Sequence, residues 1–392
     1  MQIYKDYADL ESFIVSRNIK RILLVAGKSM DRLRIADFVK ELESKGETSF
    51  VRFSSFTPNP KYEEVLEGVK AYRDNSCDAV LAIGGGSAMD VAKCIKLYAY
   101  KDGDGEDGSF LTSENSANDI PFMAMPTTAG TGSEVTRFAV IYYKGEKQSV
   151  AHDSLIPDLV LLDGTVLVNL PLYQKKATML DALCHAIESA WSVKSCEESR
   201  EHSKKAITAI MDNYRVYLGA KATTYDKMLM ASLEAGRAIN ITQTTAGHAM
   251  CYKITTKYGF AHGHAAALCV GVLWRWMLEV VDKQRESGAE CGLPESEMSS
   301  VACASRVEMT KEDLDNVRMK FDFLAECFGA HTPAEALHIY EDMLKELEMD
   351  LPDIKDEDLD ILVHAVNIER LKNNPIALGE DDIRRLYQEL KA

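Results

Sequence analysis

Over about the first 165 residues, short β-branched runs alternate with stretches of helical periodicity, and no other feature of the chain constrains its fold as strongly. Arg21-Ile-Leu-Leu-Val-Ala26, Ser49-Phe-Val-Arg-Phe53, Ala79-Val-Leu-Ala-Ile83, Pro121-Phe-Met-Ala-Met125 and Leu159-Val-Leu-Leu-Asp163 read as strands. Helix-length stretches lie between them, among them Asp31 to Lys45, Lys61 to Asp74 and Ser87 to Tyr98. Strands of this kind separated by helices predict a parallel sheet with helices on its faces. From Pro171 onward the texture changes to long periodic segments rich in Ala, Leu, Met, Glu and Lys, with no convincing strand. The expectation is therefore an α/β domain over 1–168 and an all-helical domain over 169–392, the boundary falling near 164–171.

Composition narrows the class. Lys+Arg of 45 against Asp+Glu of 61 leaves a net charge of −16, which argues against nucleic acid or an anionic membrane as partners. The N-terminus lacks a basic segment followed by an apolar core, and no window is read as approaching the apolar run of about 18 residues that a spanning helix needs. A cytoplasmic protein is expected. The nine cysteines (77, 94, 184, 196, 251, 269, 291, 303 and 327) include no CxxC pair, which fits reduced and mostly buried thiols. The segment Lys101 to Asp119 is polar and rich in Gly, Asp and Ser. It imitates a calcium loop, but the sharp-turn glycine is Asp107 and the closing glutamate is Ser113, so it reads as a solvated loop.

Two glycine-rich segments follow predicted strands. The run Ala79 to Ile83 leads into Gly84-Gly85-Gly86-Ser87 and then a helical pattern. Glycines let backbone amides approach a ligand, and a helix N-terminus favours negative charge, so this is a plausible pyrophosphate cradle in chemical terms. It is not GxGxxG, and alone such a segment is a tight turn about as often. Pro126-Thr-Thr-Ala-Gly-Thr-Gly-Ser-Glu-Val-Thr136 again follows a strand and offers hydroxyls and amides in a row. Two such loops at the ends of neighbouring parallel strands converge where open α/β sheets bind ligands.

The second half carries a different chemistry. Asp181 and His185 stand at i and i+4 on one predicted helix face, close enough to grip one cation, although such a pair alone has a bland reading as a helix hydrogen bond. His248, His262 and His264 follow in a stretch whose neighbours read as buried, and buried imidazoles need partners. One carboxylate with three imidazoles suits Fe2+ or Zn2+ and suits Ca2+ or Mg2+ poorly.

With these residues in view, the chain resembles the iron-containing (group III) alcohol dehydrogenase family over nearly its whole length. The matching pieces are Pro58-Asn59-Pro60, Gly84 to Lys93, Pro126 to Thr136, Pro157-Asp158 with Asp163, Asp181-Ala-Leu-Cys-His-Ala-Ile-Glu188, and the spacing of fourteen from His248 to His262. The resemblance implies a dinucleotide-binding N-terminal domain, a helical metal-binding domain as in dehydroquinate synthase-like folds, and an active site in the cleft between them. It implies Asp181, His185, His248 and His262 as ligands of Fe2+, with Zn2+ as the alternative. Asn59, Gly85, Gly86, Ser87, Thr127, Thr131, Thr136 and Lys147 match positions that hold NADH or NADPH. An aldehyde or primary alcohol is the implied substrate, and a homodimer or higher homo-oligomer the expected assembly.

Three departures from the family pattern mark this chain. Tyr252 stands where many relatives carry a second histidine linked to proton transfer, which leaves Tyr252 and His264 as relay candidates. Gly27-Lys28 replaces an aspartate that many NAD-preferring relatives place against the adenosine ribose, so NADPH becomes a candidate. The His262-Gly263-His264 triplet with Arg137, Lys253 and Lys257 resembles the branch that reduces phosphonoacetaldehyde to 2-hydroxyethylphosphonate, whose dianion a basic side chain would suit. Singly, each of these charges also reads as an ordinary exposed helix cation. The alternatives are a general short-chain, diol or butanol dehydrogenase, a dehydroquinate-synthase-type lyase, whose ligand set is a Glu with two histidines, and a non-catalytic scaffold.

Overall fold

The computed structural model describes residues 1–219, 222–290 and 309–391. Two compact units are present: Met1–Lys175 with Asn213–Asn240, and Lys176–Asp212 with Ile241–Ala392.

The first unit is built on eight strands, β1 (Gln2–Tyr4), β2 (Arg21–Ala26), β3 (Ser49–Phe53), β4 (Ala79–Gly84), β5 (Phe122–Pro126), β6 (Phe138–Tyr143), β7 (Glu146–Ala151) and β8 (Leu159–Leu161). Helices α1 (Tyr7–Ser16), α2 (Arg34–Ser44), α3 (Tyr62–Asp74) and α4 (Gly86–Tyr98) connect the early strands, and α5 (Ser109–Thr112) is a single turn. Six strands form one parallel sheet in the order β1-β8-β5-β4-β2-β3. Its central strands are buried along their length, Ile22 to Ala26 and Ala79 to Ile83 alike, because helices cover both faces. That is why they read as continuous apolar runs rather than alternating ones. From β2 the chain moves outward to β3; it then returns past β2 to β4 and continues the other way to β5. The order of strands thus reverses between β2 and β4, the place where open α/β sheets take ligands at the carboxyl ends of their strands.

The sheet matches the predicted strands closely, with two omissions. β1 has only three residues and pairs with β8 at the edge. The antiparallel pair β6–β7 was not expected; its two-residue turn is Lys144-Gly145, with φ of 51° and 81°. Positive φ at both turn residues matches the twist of a hairpin, but Lys-Gly lacks the Asn or Asp that would announce it. The fifth predicted strand stops at Leu161, since Asp163 instead caps a short turn by accepting a hydrogen bond from the Thr165 amide at 2.9 Å. Lys101 to Asp119 is a loop apart from α5, with Gly103, Gly105 and Gly108 at positive φ.

The helices that follow are α6 (Leu172–Trp191), α7 (Glu197–Leu218), α8 (Tyr225–Thr242), α9 (Ala246–Tyr258), α10 (His262–Glu290), α11 (Lys311–Phe328), α12 (Pro333–Glu346), α13 (Leu359–His364), α14 (Ile368–Leu371) and α15 (Glu380–Glu389). No strand occurs among the described residues of this half. Asn213–Asn240 packs with the first unit, so the units are not contiguous in sequence, as a single cut between 168 and 169 would make them. Two contacts show why. A Cβ on Gly236 would lie 2.5 Å from the Gly132 carbonyl oxygen, and the Gly164 amide donates to Asp226 Oδ1 at 2.9 Å.

The second unit closes around Trp274 of α10, whose ring meets those of Trp191, Phe328 and Tyr340 at 5.9, 5.6 and 5.9 Å. Tyr340 and Tyr387 donate from their hydroxyls to the carbonyls of Ala267 and Met250, both at 2.8 Å. One expectation is corrected here. Residues His262–Gln284 of α10 are long and apolar enough to cross a membrane by length and composition, although no such window was read from the sequence. That apolar window is 83% buried inside the protein, against α9, α12 and α15, as in a core helix. Of the seven described cysteines six are buried and Cys196 is exposed; Cys291 and Cys303 lie outside the described residues.

Candidate functional site

Asp181 and His185 lie on the buried stretch of α6, His248 in the first turn of α9, and His262 at the first position of α10. Two glycines let these helices meet. A Cβ on Gly263 would lie 2.0 Å from the Ala177 carbonyl oxygen and 2.6 Å from Asp181 Cβ. A Cβ on Gly247 would lie 2.6 Å from Val270 Cγ2 and 3.0 Å from Glu188 Oε1. Each ligand histidine of α9 and α10 therefore sits beside a residue without a side chain, at the point where its helix touches a neighbour.

The Nε2 atoms of His248, His262 and His185 stand 3.4, 3.8 and 3.9 Å from one oxygen, Asp181 Oδ1. Ligand atoms of Asp181, His248 and His262 all lie within 4.8 Å of one another. A tetrahedral site with bonds near 2.1 Å separates neighbouring ligand atoms by about 3.4 Å, so these spacings fit a divalent cation of the Fe2+ or Zn2+ type. The rings of His185 and His248 stack at 4.6 Å and 15°, so the three-atom cluster and His185 form one constellation. Asp181, His185 and His248 are buried, whereas the His262 side chain is 37% exposed and forms the accessible side.

Glu188 orients the cluster. It is fully buried; one carboxylate oxygen accepts from the Thr245 amide (3.1 Å), the Thr245 hydroxyl (2.7 Å) and the His248 amide (3.2 Å). The other oxygen takes the Nδ1 proton of His248, which leaves Nε2 turned to Asp181. A carboxylate behind a histidine fixes its tautomer and raises its basicity as a ligand. Burial alone would lower the His248 pKa, but the charge of Glu188 and the bond to Asp181 outweigh it and raise it to about 9. Burial would raise the Asp181 carboxyl, but the charge of His185, with His248 and His262, holds it well below the carboxylate range. Cys251 donates from Sγ to the His248 carbonyl at 3.3 Å and lies 3.6 Å from His262 Nδ1.

In the first unit, both glycine-rich loops stand at the carboxyl ends of adjacent strands, Gly84 of β4 being in register with Pro126 of β5. The Thr127 amide donates to the Gly84 carbonyl at 3.0 Å. A Cβ on Gly85 would lie 3.2 Å from Thr128 Oγ1, and one on Gly86 would lie 2.9 Å from Thr131 Cγ2. Gly85, Gly86, Ser87, Thr127 and Thr131 are thus brought together at the N-terminus of α4, where backbone amides point outward. Asn59 comes from upstream of these loops and Lys147 from downstream. The Tyr142 amide of β6 donates to the Pro60 carbonyl, and Tyr142 is in register with Lys147 of β7. The charge of Lys147 helps to hold down the pKa of Asp90, which burial raises.

Thr136 is placed differently. It is buried, and its hydroxyl accepts from Lys93 Nζ at 3.0 Å. Lys93 also donates to Ser133 Oγ (3.0 Å) and to the carbonyls of Thr136 and Phe138 (2.7 Å each), and so ties the second loop to α4. Burial lowers the Lys93 pKa to about 8 and raises Asp90 and Glu134 to about 6 and about 7.

Both halves match known families. Residues 4–164 match the family model described as iron-containing alcohol dehydrogenase, and residues 175–390 the C-terminal model of the same family. The chain belongs to the iron-containing alcohol dehydrogenase family. Iron and NAD(H) are the cofactors of that family, and its members are oxidoreductases of alcohols and aldehydes. Among curated relatives, long-chain-alcohol dehydrogenase 1 of Geobacillus thermodenitrificans is 28% identical, covering 94% of this chain and 89% of its own length. The 1,3-propanediol dehydrogenase of Citrobacter freundii is 32% identical over 66% of this chain and 68% of its own length. Among solved structures, an iron-containing alcohol dehydrogenase from Thermotoga maritima gives a TM-score of 0.77 at 27% identity, with 100% of this chain and 97% of that one covered. Sulfoacetaldehyde reductase of Bifidobacterium kashiwanohense, in complex with NAD+, gives 0.81 at 24% identity, covering 100% and 96%.

In this iron-containing alcohol dehydrogenase family member the two relay candidates part company. The Tyr252 ring stacks on His262 at 5.4 Å and 19°. His264 donates from Nε2 to the Asp350 carbonyl at 2.9 Å and stacks on Phe260 at 4.4 Å; burial lowers its pKa. The basic candidates are also separated. Arg137 pairs with Asp153 at 3.2 Å in the first unit, Lys257 pairs with Asp358 at 2.9 Å, and Lys253 is half-buried on α9. Two residues carry weight that the sequence reading did not assign. Glu188 is one of them, and its spacing of seven from Asp181 and three from His185 puts it on the same helix face. Arg370 is the other, and no sequence signal links it to the histidines.

Proposed function

We propose that this chain is a metal-dependent NAD(P)H oxidoreductase that interconverts an aldehyde and a primary alcohol, with phosphonoacetaldehyde and 2-hydroxyethylphosphonate as the pair. The observation that carries the reading is the convergence of three histidine Nε2 atoms on a single oxygen of Asp181, within 3.4 to 3.9 Å. Asp181, His185, His248 and His262 would hold Fe2+, and the same donors accept Zn2+. When bound, the cation supplies Lewis acidity toward a carbonyl oxygen, and the reduced nicotinamide supplies the hydride.

The chain's own residues do the rest. Asp181 offsets cation charge in a buried setting, and Glu188 keeps His248 protonated on Nδ1 so that Nε2 stays available. The amides at Gly85 to Ser87 and the hydroxyls of Thr127 and Thr131 bind and orient the pyrophosphate. Asn59 and Lys147, linked through the Pro60–Tyr142 hydrogen bond and the β6–β7 register, would serve the ribose and nicotinamide side. Thr136 acts through Lys93 by fixing the loop rather than by touching the cofactor. Tyr252, in contact with a ligand ring, is better placed than His264 to pass a proton, since the Nε2 proton of His264 is already donated to a carbonyl.

The test is a steady-state screen of phosphonoacetaldehyde and neutral aldehydes of similar size with NADH and NADPH, after reconstitution with Fe2+ or Zn2+. Stoichiometric consumption of reduced cofactor is expected, and recycling without consumption would point to lyase chemistry instead. His262→Ala should keep the circular dichroism of the parent and lose bound metal and turnover together. Full activity in a metal-free His262→Ala protein would sink the proposal.

A further inference from the structure

The ligand ring of His262 stacks on Tyr252, and Tyr252 in turn meets a guanidinium. The two ring centroids are 5.4 Å apart, and the guanidinium carbon of Arg370, on α14, lies 5.5 Å from the Tyr252 ring centroid. Arg370 Nη1 donates to Thr244 Oγ1 at 2.9 Å, and no carboxylate pairs with this guanidinium among the described residues. That separates it from Arg137 and Lys257, whose charges are each met by an aspartate.

The position of Arg370 is fixed relative to the cluster. Thr244 adjoins Thr245, which donates twice to Glu188, the partner of His248. Three residues after Arg370, Asn373 donates from Nδ2 to the carbonyls of Thr242 and Thr244 at 2.8 and 3.0 Å, and its own Oδ1 accepts from Ser192 at 2.8 Å. The turn that opens α9 therefore holds His248 on one side and Arg370 on the other. A half-buried cation held by a hydroxyl and an aromatic face, with no carboxylate partner among the described residues, is suited to receive an anion.

We propose that Arg370 is the specificity-determining residue that recognises the far end of the substrate: an anionic tetrahedral group, phosphonate or sulfonate, on a short aldehyde. The inference rests on the aldehyde oxidoreductase reading and names the substrate class within it. The two centroid separations place the guanidinium carbon at most about 11 Å from the His262 ring. A two-carbon phosphonoaldehyde spans roughly 5 Å from carbonyl to phosphonate oxygen, and a charge-assisted hydrogen bond adds about 3 Å. The 11 Å figure is an upper limit, and the proposal requires a separation within that reach of about 8 Å, so that one small substrate presents its carbonyl at the histidine cluster while its anion meets the planar fork of Arg370. A guanidinium matches two oxygens of a tetrahedral anion at once, which an ammonium does not.

The experiment compares kcat/KM for phosphonoacetaldehyde, sulfoacetaldehyde and butanal in the full chain loaded with iron, as wild type, Arg370→Gln and Arg370→Lys. The wild type should prefer an anionic aldehyde to butanal, and Arg370→Gln should lower that preference at least 30-fold, chiefly through KM, with Arg370→Lys between. Whichever anionic substrate loses more identifies the natural headgroup. Binding of ethylphosphonate, followed by 31P line broadening in the presence and absence of metal, gives a readout independent of turnover and should weaken at least tenfold in Arg370→Gln. If Arg370→Gln lowers the melting temperature or metal content, Arg370→Lys carries both comparisons. A preference that stays within threefold of wild type, or ethylphosphonate binding indifferent to Arg370, overturns the proposal and leaves butanal reduction to support the oxidoreductase reading. Failure to oxidise NAD(P)H with any aldehyde defeats that reading instead, and the ethylphosphonate measurement then still decides the role of Arg370.

Discussion

Replacing Gly263 by alanine adds one methyl group at the tightest helix contact of the candidate metal centre. The new Cβ would lie 2.0 Å from the Ala177 carbonyl oxygen, 2.9 Å from the Asp181 amide nitrogen and 2.6 Å from Asp181 Cβ. Backbone atoms of α6 cannot rotate away as a side chain can, so α10 must withdraw by about 1 Å or more before ordinary contact distances return. His262 is the neighbouring residue, and its Nε2 stands 3.8 Å from Asp181 Oδ1. Metal sites tolerate ligand displacements of only about 0.2 Å. The substitution should therefore weaken Fe2+ or Zn2+ binding at least 100-fold. Overpacking would cost about 1–3 kcal/mol of stability. Gly271→Ala, two turns along the same helix, is the control: its Cβ would meet Tyr340 Cε1 at 3.4 Å, an ordinary contact. It should gain about 0.5–1 kcal/mol from helix propensity and keep its metal. Metal stoichiometry, competition with a chromophoric chelator, and melting curves with and without metal would measure both variants. Wild-type metal affinity in Gly263→Ala, or equal loss in Gly271→Ala, would refute the idea that close helix approach builds the site.

Three further outcomes follow from the same geometry. Glu188→Gln keeps the shape of the side chain but removes the charge behind His248, so metal affinity should fall about 10- to 100-fold, read by chelator competition. Lys93→Met strips the carbonyls of Thr136 and Phe138 of a buried donor, which should destabilise the protein by about 1–3 kcal/mol for each carbonyl left unmet and raise the KM for the dinucleotide more than it lowers kcat. In metal-free protein the raised pKa of His248, about 9 against an unfolded value of 6.5, contributes stability that is complete below pH 6.5 and is lost as pH rises through 9. Melting temperature should accordingly fall across that window without metal, whereas metal affinity should rise across it because the cation displaces a proton. A melting temperature of the metal-free protein that is flat from pH 6.5 to 9 would count against the Glu188–His248 coupling.

The fold was legible wherever burial left a simple pattern. β2, β4 and β5 are covered on both faces, so their sequences are unbroken apolar runs, and the periodicity of α3 and α4 follows from one face packed on the sheet. β1 escaped because three residues at an edge are too few to form a pattern. β6 and β7 escaped because the half-buried sequence FAVIYY and the polar EKQSVA turn through Lys144-Gly145, where a left-handed lysine does what an asparagine would have advertised. The apolar stretch of α10 is the reverse case: hydropathy is visible in sequence, but whether lipid or Trp191, Phe328 and Tyr340 cover it is a tertiary fact.

The site divides along the same line. Asp181, His185 and Glu188 share a helix face, so their spacing alone places them together, and the carboxylate behind His248 was within reach of that argument. What spacing cannot say is that α9 and α10 will approach α6 closely enough for His248 and His262 to join them. That depends on Gly247 and Gly263, which in a sequence look like any other small residues. Arg370 lies beyond both kinds of reasoning. It stands more than a hundred residues after His262, in a one-turn helix, and gains meaning only through Tyr252 and Thr244. The net charge of −16 likewise describes the chain and not its interior. An acidic protein can recognise an anion when amides at a helix N-terminus face outward and a guanidinium is held without a carboxylate partner, because field at a few ångströms is set by the nearest charges and not by the sum.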